Sequence, residues 1–407
     1  MEPQILTEAR PRQAASKPCR VCGFANCEIF YEVHGVPTQT GILWPTRAAA
    51  LAAPITDVRL SFCPHCHFII NEAYEPAKII HTRNDFSLEF SPSFKAFTDG
   101  LATNLVQRYR LQGKRVVDIG CGDGDFLRTM LRSGMGSGLG IDPSYAPREG
   151  QSNPDNLHFS KEFFGADKAH ALHGAALISC RHMLDIMAGN QAEFVRMLRR
   201  AIPEDEQPLI YFEVPNALYN IGEQVVWNIV NEHSAWFTPQ SLAYLFRSSG
   251  FEVLEVEPCW HGEYISLVAR PAGMPLPEPA ALPPTNDPTT PVAVRAFTTA
   301  AEKVIAQWQL RVNELRSSRM HVVIWAAGSR AITFLNTFDL NDCVVAVVDI
   351  NPRRQGQYMP HTAHPVVAPQ QLMGFHPDVV LISNPTYAPE IQEQARQLGF
   401  QGEFLIL

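Results

Sequence analysis

Val117-Asp118-Ile119-Gly120-Cys121-Gly122-Asp123-Gly124 reads as the end of a buried strand followed by a turn built on three glycines. Glycine lets a backbone pass close to a ligand because no Cβ stands in the way. Downstream, Phe126–Ser133 has the pattern of a helix and Gly138-Leu139-Gly140-Ile141-Asp142 that of a second strand. The order strand, glycine turn, helix, strand predicts a nucleotide-binding α/β unit, with Asp142 placed to hold a ribose diol about twenty residues past the turn. Further strands at Ala175–Ser179, Pro208–Val214 and Glu252–Val256 alternate with helices at Gln191–Ala201 and near 240–249, which predicts a parallel α/β sheet.

A glycine turn alone does not distinguish cofactors. Two details favour S-adenosylmethionine (SAM) over a dinucleotide. Asp118 stands just ahead of the turn, and the spacing is G-x-G-x-G rather than G-x-G-x-x-G. A pyrophosphate prefers bare helix N–H groups, whereas a sulfonium with an ammonium tolerates nearby acid. Asp118, Gly120, Gly122, Gly124 and Asp142 are therefore the expected cofactor-binding residues.

Upstream, Cys19-Arg-Val-Cys22 and Cys63-Pro-His-Cys66 form two CxxC pairs. Each pair presents two thiolates from one tight turn, and two pairs complete a tetrahedral Zn²⁺ site, so Cys19, Cys22, Cys63 and Cys66 are the expected metal ligands. His65 and His67 are left outside the coordination shell, because four thiolates already satisfy the ion.

The chain has 407 residues, 46% hydrophobic and 18% charged, with a net charge of −8. That length predicts two or three domains, and the acidic balance argues against a nucleic-acid surface. Nine cysteines without a secretory signal point to a reducing compartment, and no apolar run reaches the roughly 18–20 residues of a membrane span, so a cytoplasmic location is expected. Eight prolines between Pro271 and Pro291 predict a stiff linker. The organisation that follows is a loose tail over residues 1–17 within a zinc module (1–72), a connecting segment (73–112), a SAM-binding domain (113–270), the linker (271–292) and a C-terminal Rossmann-like unit (293–407). Asn84–Ser87 and Phe90–Phe94 introduce a connecting helix over Ser93–Tyr109. The last unit opens with a long helix to about Arg316, then Trp325-Ala326-Ala327-Gly328-Ser329-Arg330 and a strand ending at Asp349.

These modules together resemble the three-domain SAM-dependent C-methyltransferases, whose best-understood members methylate carbon 3 of nucleotide-linked 4-keto-6-deoxy sugars. The matching segments are the two CxxC pairs, Val117–Gly124, Glu213-Val214-Pro215, Asn231–Phe237, Trp325–Arg330, and Val348–Pro352 with Gln355-Gly356. The resemblance implies a class I methyltransferase fold with a zinc-binding N-terminal module and a Rossmann-like C-terminal unit; that last unit is expected either to cradle the substrate's carrier, with Ser329, Arg330, Arg353 and Arg354 nearby, or to be a vestigial fold that closes over the active site. Three segments depart from the family pattern. Val230-Asn231-Glu232-His233 lacks the Tyr and first His of a Tyr-His-Glu-His run, His261-Gly262-Glu263-Tyr264 replaces a Gly-Gly-Ser segment, and Asp185 stands where a His is usual.

Carbon methylation needs a base, because a C–H bond is not a nucleophile. His233, with Glu232 beside it, is the expected base for a proton α to a carbonyl, and His182, at the carboxyl edge of a strand, is a further catalytic candidate as a substrate or cofactor contact, with a packing role as its alternative. The alternative for His233 is a structural hydrogen bond between domains. O- or N-methylation of a non-sugar intermediate, and a non-catalytic SAM-binding partner protein, stay open at this stage. The expected partners are a small-molecule substrate, with no nucleic acid and no membrane, in a monomer or homodimer.

Overall fold

The computed structural model describes residues 13–15, 17–80, 90–147, 153–187, 189–273 and 282–407. The start of the expected tail, Asn84–Ser87 and the linker prolines Pro275–Pro279 lie outside them. No helix among the described residues is long and apolar enough to cross a membrane.

The central sheet has seven strands in the spatial order Phe251–Cys259, Tyr264–Pro271, Leu209–Pro215, Leu177–Arg181, Arg115–Ile119, Ser137–Ile141 and Leu157–Ser160. The five from Leu209–Pro215 outward pair in parallel, and the three inner ones, Leu209–Pro215, Leu177–Arg181 and Arg115–Ile119, are buried on both faces, as helix-covered strands must be. The expectation of an all-parallel sheet is corrected at one strand: Tyr264–Pro271 runs antiparallel to both neighbours. The cause is the connection before it. Trp260, His261 and Gly262 take φ of 45°, 56° and 87°, a tight left-handed reversal that can only return the chain alongside itself.

The cysteine module is an antiparallel sheet of Gln13–Ala14, Glu28–Pro37, Ile55–Phe62 and Ile69–Asn71. Its fifth strand, Ala235–Trp236, comes from far along the chain and starts two residues after His233. The connecting helix spans Pro92–Arg108. Ser91 Oγ accepts from Phe94 N–H, and Pro92 sits in the first turn, where no amide donor is missed.

The C-terminal sheet is fully parallel, in the order Val366–Val367, Val344–Val348, Val322–Trp325, Val379–Ile382 and Glu403–Ile406. The long helix Thr289–Ser317 joins this unit to the N-terminal module. Phe297 packs edge-on to Phe30 and Tyr31, with ring centroids 6.3 and 5.1 Å apart, and Thr298 Oγ1 donates to Phe30 O. The described end of the proline-rich segment lies along the cysteine module, where Thr285 N–H donates to His65 O.

Candidate functional site

The glycine turn joins strand Arg115–Ile119 to helix Asp125–Arg132. Gly120, Gly122 and Gly124 take φ of 75°, 52° and 79°, a left-handed region that other residues enter only under strain. A Cβ on Gly124 would lie 2.3 Å from the Phe159 ring, whereas one on Gly122 would meet nothing within 4 Å. Gly122 therefore faces open space, as a turn that receives a cofactor must. Its N–H donates to Asp142 Oδ2 at 2.8 Å, while Asp142 Oδ1 accepts from the Ser144 amide and hydroxyl at 2.7 and 2.6 Å. Beside this acid Tyr145 stacks on Phe159 at 4.1 Å, an aromatic floor that sequence reading missed although Pro143-Ser144-Tyr145 directly follows Asp142. Asp118 is only 3% exposed and accepts from Ser179 Oγ at 2.7 Å. Burial raises its pKa to about 7, against the lowering pull of Ser179 and Arg181.

The four expected metal ligands converge. The sulfurs of Cys19, Cys22, Cys63 and Cys66 all lie within 4.8 Å of one another, with Cys19–Cys66 at 3.5 Å and Cys22–Cys63 at 3.6 Å. A Zn–S bond of about 2.3 Å sets a tetrahedral S–S edge of about 3.8 Å, so the donor set fits Zn²⁺. The two turns are built alike: Gly23 N–H donates to Cys19 O and His67 N–H to Cys63 O, both at 2.9 Å, and both residues take positive φ. His67 is thus a turn residue, and His65 stacks on Phe24. Cys27, buried next to this group with Sγ donating to Phe24 O, was not singled out from sequence, since no second cysteine lies at pair spacing from it.

Segment Asn231–Trp236 passes between the cysteine module and the central sheet. Glu232 is fully engaged: Oε2 accepts from Thr40 N at 2.6 Å and from the Thr40 hydroxyl, and Oε1 accepts from Gly41 N at 3.2 Å. Burial raises its pKa in spite of these bonds. Thr40 Oγ1 also meets Ser329 Oγ at 2.9 Å, so one hydroxyl links all three modules. His233 lies edge-on to Trp236, and its Nε2 is 3.6 Å from Asp185 Oδ2. His233 Nδ1 and Asp185 Oδ1 are buried and have no hydrogen-bond partner among the described residues.

His182 follows strand Leu177–Arg181 with φ of 53°. Its Nε2 lies 2.8 Å from Glu213 Oε1, and its ring meets Tyr264 edge-on at 4.4 Å. Glu213 has no exposed surface and also accepts from Arg181 Nη2 at 2.8 Å and from Tyr211 Oη at 2.8 Å. Burial would raise its pKa, but Arg181 and His182 outweigh it and hold it at about 2. Tyr74 reaches in from the N-terminal module and donates to Ile186 O at 3.1 Å; burial pushes its pKa up to about 12.

In the C-terminal unit Asp349 repeats the arrangement of Asp142. Oδ2 accepts from Ala327 N and Oδ1 from Asn351 N, both at 2.8 Å. Arg330 is buried, with Nη2 3.1 Å from Glu263 Oε2 and Nε donating to Asn228 Oδ1 at 3.1 Å. Arg354 donates to Ala327 O, and Arg353 crosses to the glycine turn, Nη1 to Asp123 Oδ2 at 2.5 Å.

Known proteins similar to this chain are methyltransferases. A family model described as a methyltransferase domain matches residues 94–256, and one described as a C-methyltransferase C-terminal domain matches residues 286–407. The C-methyltransferase NovU of Streptomyces niveus is 26% identical over 207 residues, and the match spans about half of each protein, 49% of this chain and 49% of that one. Among solved structures, a SAM-dependent methyltransferase from Mesorhizobium loti is 20% identical, with 42% of this chain and 99% of that one aligned at a TM-score of 0.33. The 1,6-didemethyltoxoflavin-N1-methyltransferase of Burkholderia thailandensis is 15% identical, with 51% and 96% aligned at a TM-score of 0.33.

Proposed function

Because the chain belongs to the SAM-dependent C-methyltransferase family, we propose that it methylates a carbon next to a carbonyl in a small biosynthetic intermediate, with His233 as the base. SAM, when bound, supplies an electrophilic methyl group. Gly122 offers the open backbone for it, and Asp142 holds the turn in shape. The observation that carries the reading is His233 itself: a half-buried imidazole between modules whose buried Nδ1 lacks a partner among the described residues. That nitrogen would take the α proton, freeing the electron pair of the C–H bond to form the new carbon–methyl bond, while the pair of the broken sulfur–methyl bond stays on the departing sulfur. An alkoxide or amine acceptor would need no such group, since its lone pair attacks directly.

Glu232 supports the site from behind, with both oxygens committed to Thr40 and Gly41. His182, against Tyr264 and Glu213, forms a second wall at the carboxyl edge of the sheet, where α/β folds bind ligands. Zn²⁺ on Cys19, Cys22, Cys63 and Cys66 would be structural, its four positions filled by protein and none left open for chemistry. The acceptor class with most support is a nucleotide-linked keto sugar, because the family resemblance extends through the C-terminal unit.

The test is incubation of the purified protein with methyl-labelled SAM and a panel of nucleotide-linked 4-keto sugars, followed by product mass. Gain of one methyl on carbon, lost in His233→Ala, is the expected result. Transfer that survives His233→Ala moves the assignment to an O- or N-acceptor, and tight SAM binding with no transfer to any acceptor moves it to a non-catalytic partner.

A further inference from the structure

Two turns that are distant in sequence are fastened to one another around His233. Ala235 N–H and Ser234 Oγ–H both donate to Asp185 O at 3.1 Å, and Ser234 Oγ also lies 2.8 Å from Met187 O. Gln191 Nε2 donates to Ser234 Oγ at 3.0 Å, and Tyr74 Oη donates to Ile186 O at 3.1 Å. The backbones carrying Asp185 and His233 are therefore fixed on both sides, which is what holds a functional pair within tolerance. Their side chains meet at 3.6 Å, Asp185 Oδ2 to His233 Nε2, with Asp185 only 2% exposed. Separations of this kind are common before substrate closes a site and tighten afterwards.

The residue next to His233 in sequence, Glu232, has no oxygen to spare for this task. We infer that Asp185 is the positioning residue for His233: its carboxylate holds the imidazole in the Nε2–H tautomer, which leaves Nδ1 bare to accept a proton. When Nδ1 takes that proton the ring becomes a cation beside a buried carboxylate, so the same contact stabilises the charge that forms. Asp185 touches neither substrate nor cofactor in this account. The inference rests on His233 as base, yet the tautomer is measurable without any methyl transfer.

The experiment uses the full-length protein labelled with ¹⁵N-histidine, the His233 signal being assigned by its loss in His233→Gln. The ring-nitrogen shifts of wild type are expected to report the Nε2–H tautomer, those of Asp185→Asn a mixture with the Nδ1–H form, and those of Asp185→Glu a return to the wild-type pattern. In the methyl-transfer assay Asp185→Asn should lower kcat about ten- to a hundredfold with KM within about twofold, at or below the lower end of what a general base itself contributes. An unchanged tautomer in a folded Asp185→Asn protein overturns the inference, as does a rise in KM with kcat intact. If instead the tautomer shifts but His233→Ala still methylates carbon, Asp185 keeps its role and it is the base assignment that fails.

Discussion

Asp118 carries a pH-dependent cost. Its pKa in the fold is about 7, above the value near 3.9 of an unfolded aspartate, because burial disfavours the carboxylate. A raised folded-state value means the contribution is fully present in acid and is lost as pH rises through about 7. Asp118→Asn abolishes the titration and still offers Ser179 an acceptor oxygen. Wild-type stability relative to this variant should fall between about pH 4 and pH 7, by about 1–3 kcal/mol, in denaturant melts at several pH values. A difference flat in pH would show that Asp118 does not titrate there. Glu213 has the opposite slope: its depressed value near 2 gives stability above the ordinary glutamate range, lost as pH falls towards that value. The acid before the glycine turn was legible as an acid, but its partner was not, because Ser179 lies on the neighbouring strand, 61 positions away. The same limit applies at Glu232-His233. Adjacency suggested a pair, whereas the fold brings Asp185 to His233 and turns Glu232 towards Thr40.

At the level of the element, the glycine turn separates two roles that look identical in sequence. Gly124→Ala combines left-handed strain with a Cβ driven into Phe159, and should cost about 2–4 kcal/mol of stability. Gly122→Ala meets open space, so it should cost only about 1–2 kcal/mol while weakening SAM about tenfold or more, because the new methyl occupies the approach to the turn. Thermal melts and SAM titrations of both variants check this, and equal losses of SAM affinity at equal stability would refute the distinction. The turn and the strands around it were legible because hydrophobic runs and glycine spacing are local signals. Strand Tyr264–Pro271 was not, since the reversal before it places Trp260 and His261 in left-handed conformations and carries no Asn-Gly signature. Leu157–Ser160 escaped for another reason: it is a four-residue edge strand with too little alternation to register.

At the scale of the whole molecule, the separate motifs were readable but the interleaving of the segments that carry them was not. Each module carries its own motif, whereas the contacts that join them span long stretches of chain: Asn71 Nδ2 donates to Asn231 Oδ1 at 3.2 Å, Asn231 Nδ2 to Thr38 O at 3.1 Å, and Ala235–Trp236 completes the cysteine module's sheet. His233 therefore hangs between a strand of that sheet and a carboxylate clamped by Thr40 and Gly41, while the glycine turn is held by its own strands and Asp142. Four thiolates without a cation leave a small buried cluster unable to hold its two turns together. Metal removal should consequently separate the two halves of the activity. Chelation under reducing conditions is expected to abolish methyl transfer and leave SAM affinity within about threefold, less than 1 kcal/mol, with Zn²⁺ restoring transfer. Cys63→Ser should reproduce the chelated state and resist rescue. Full transfer by metal-free protein would show that the position of His233 does not depend on the cysteine module, and loss of SAM binding along with transfer would show that the module supports the whole sheet rather than the segment around His233.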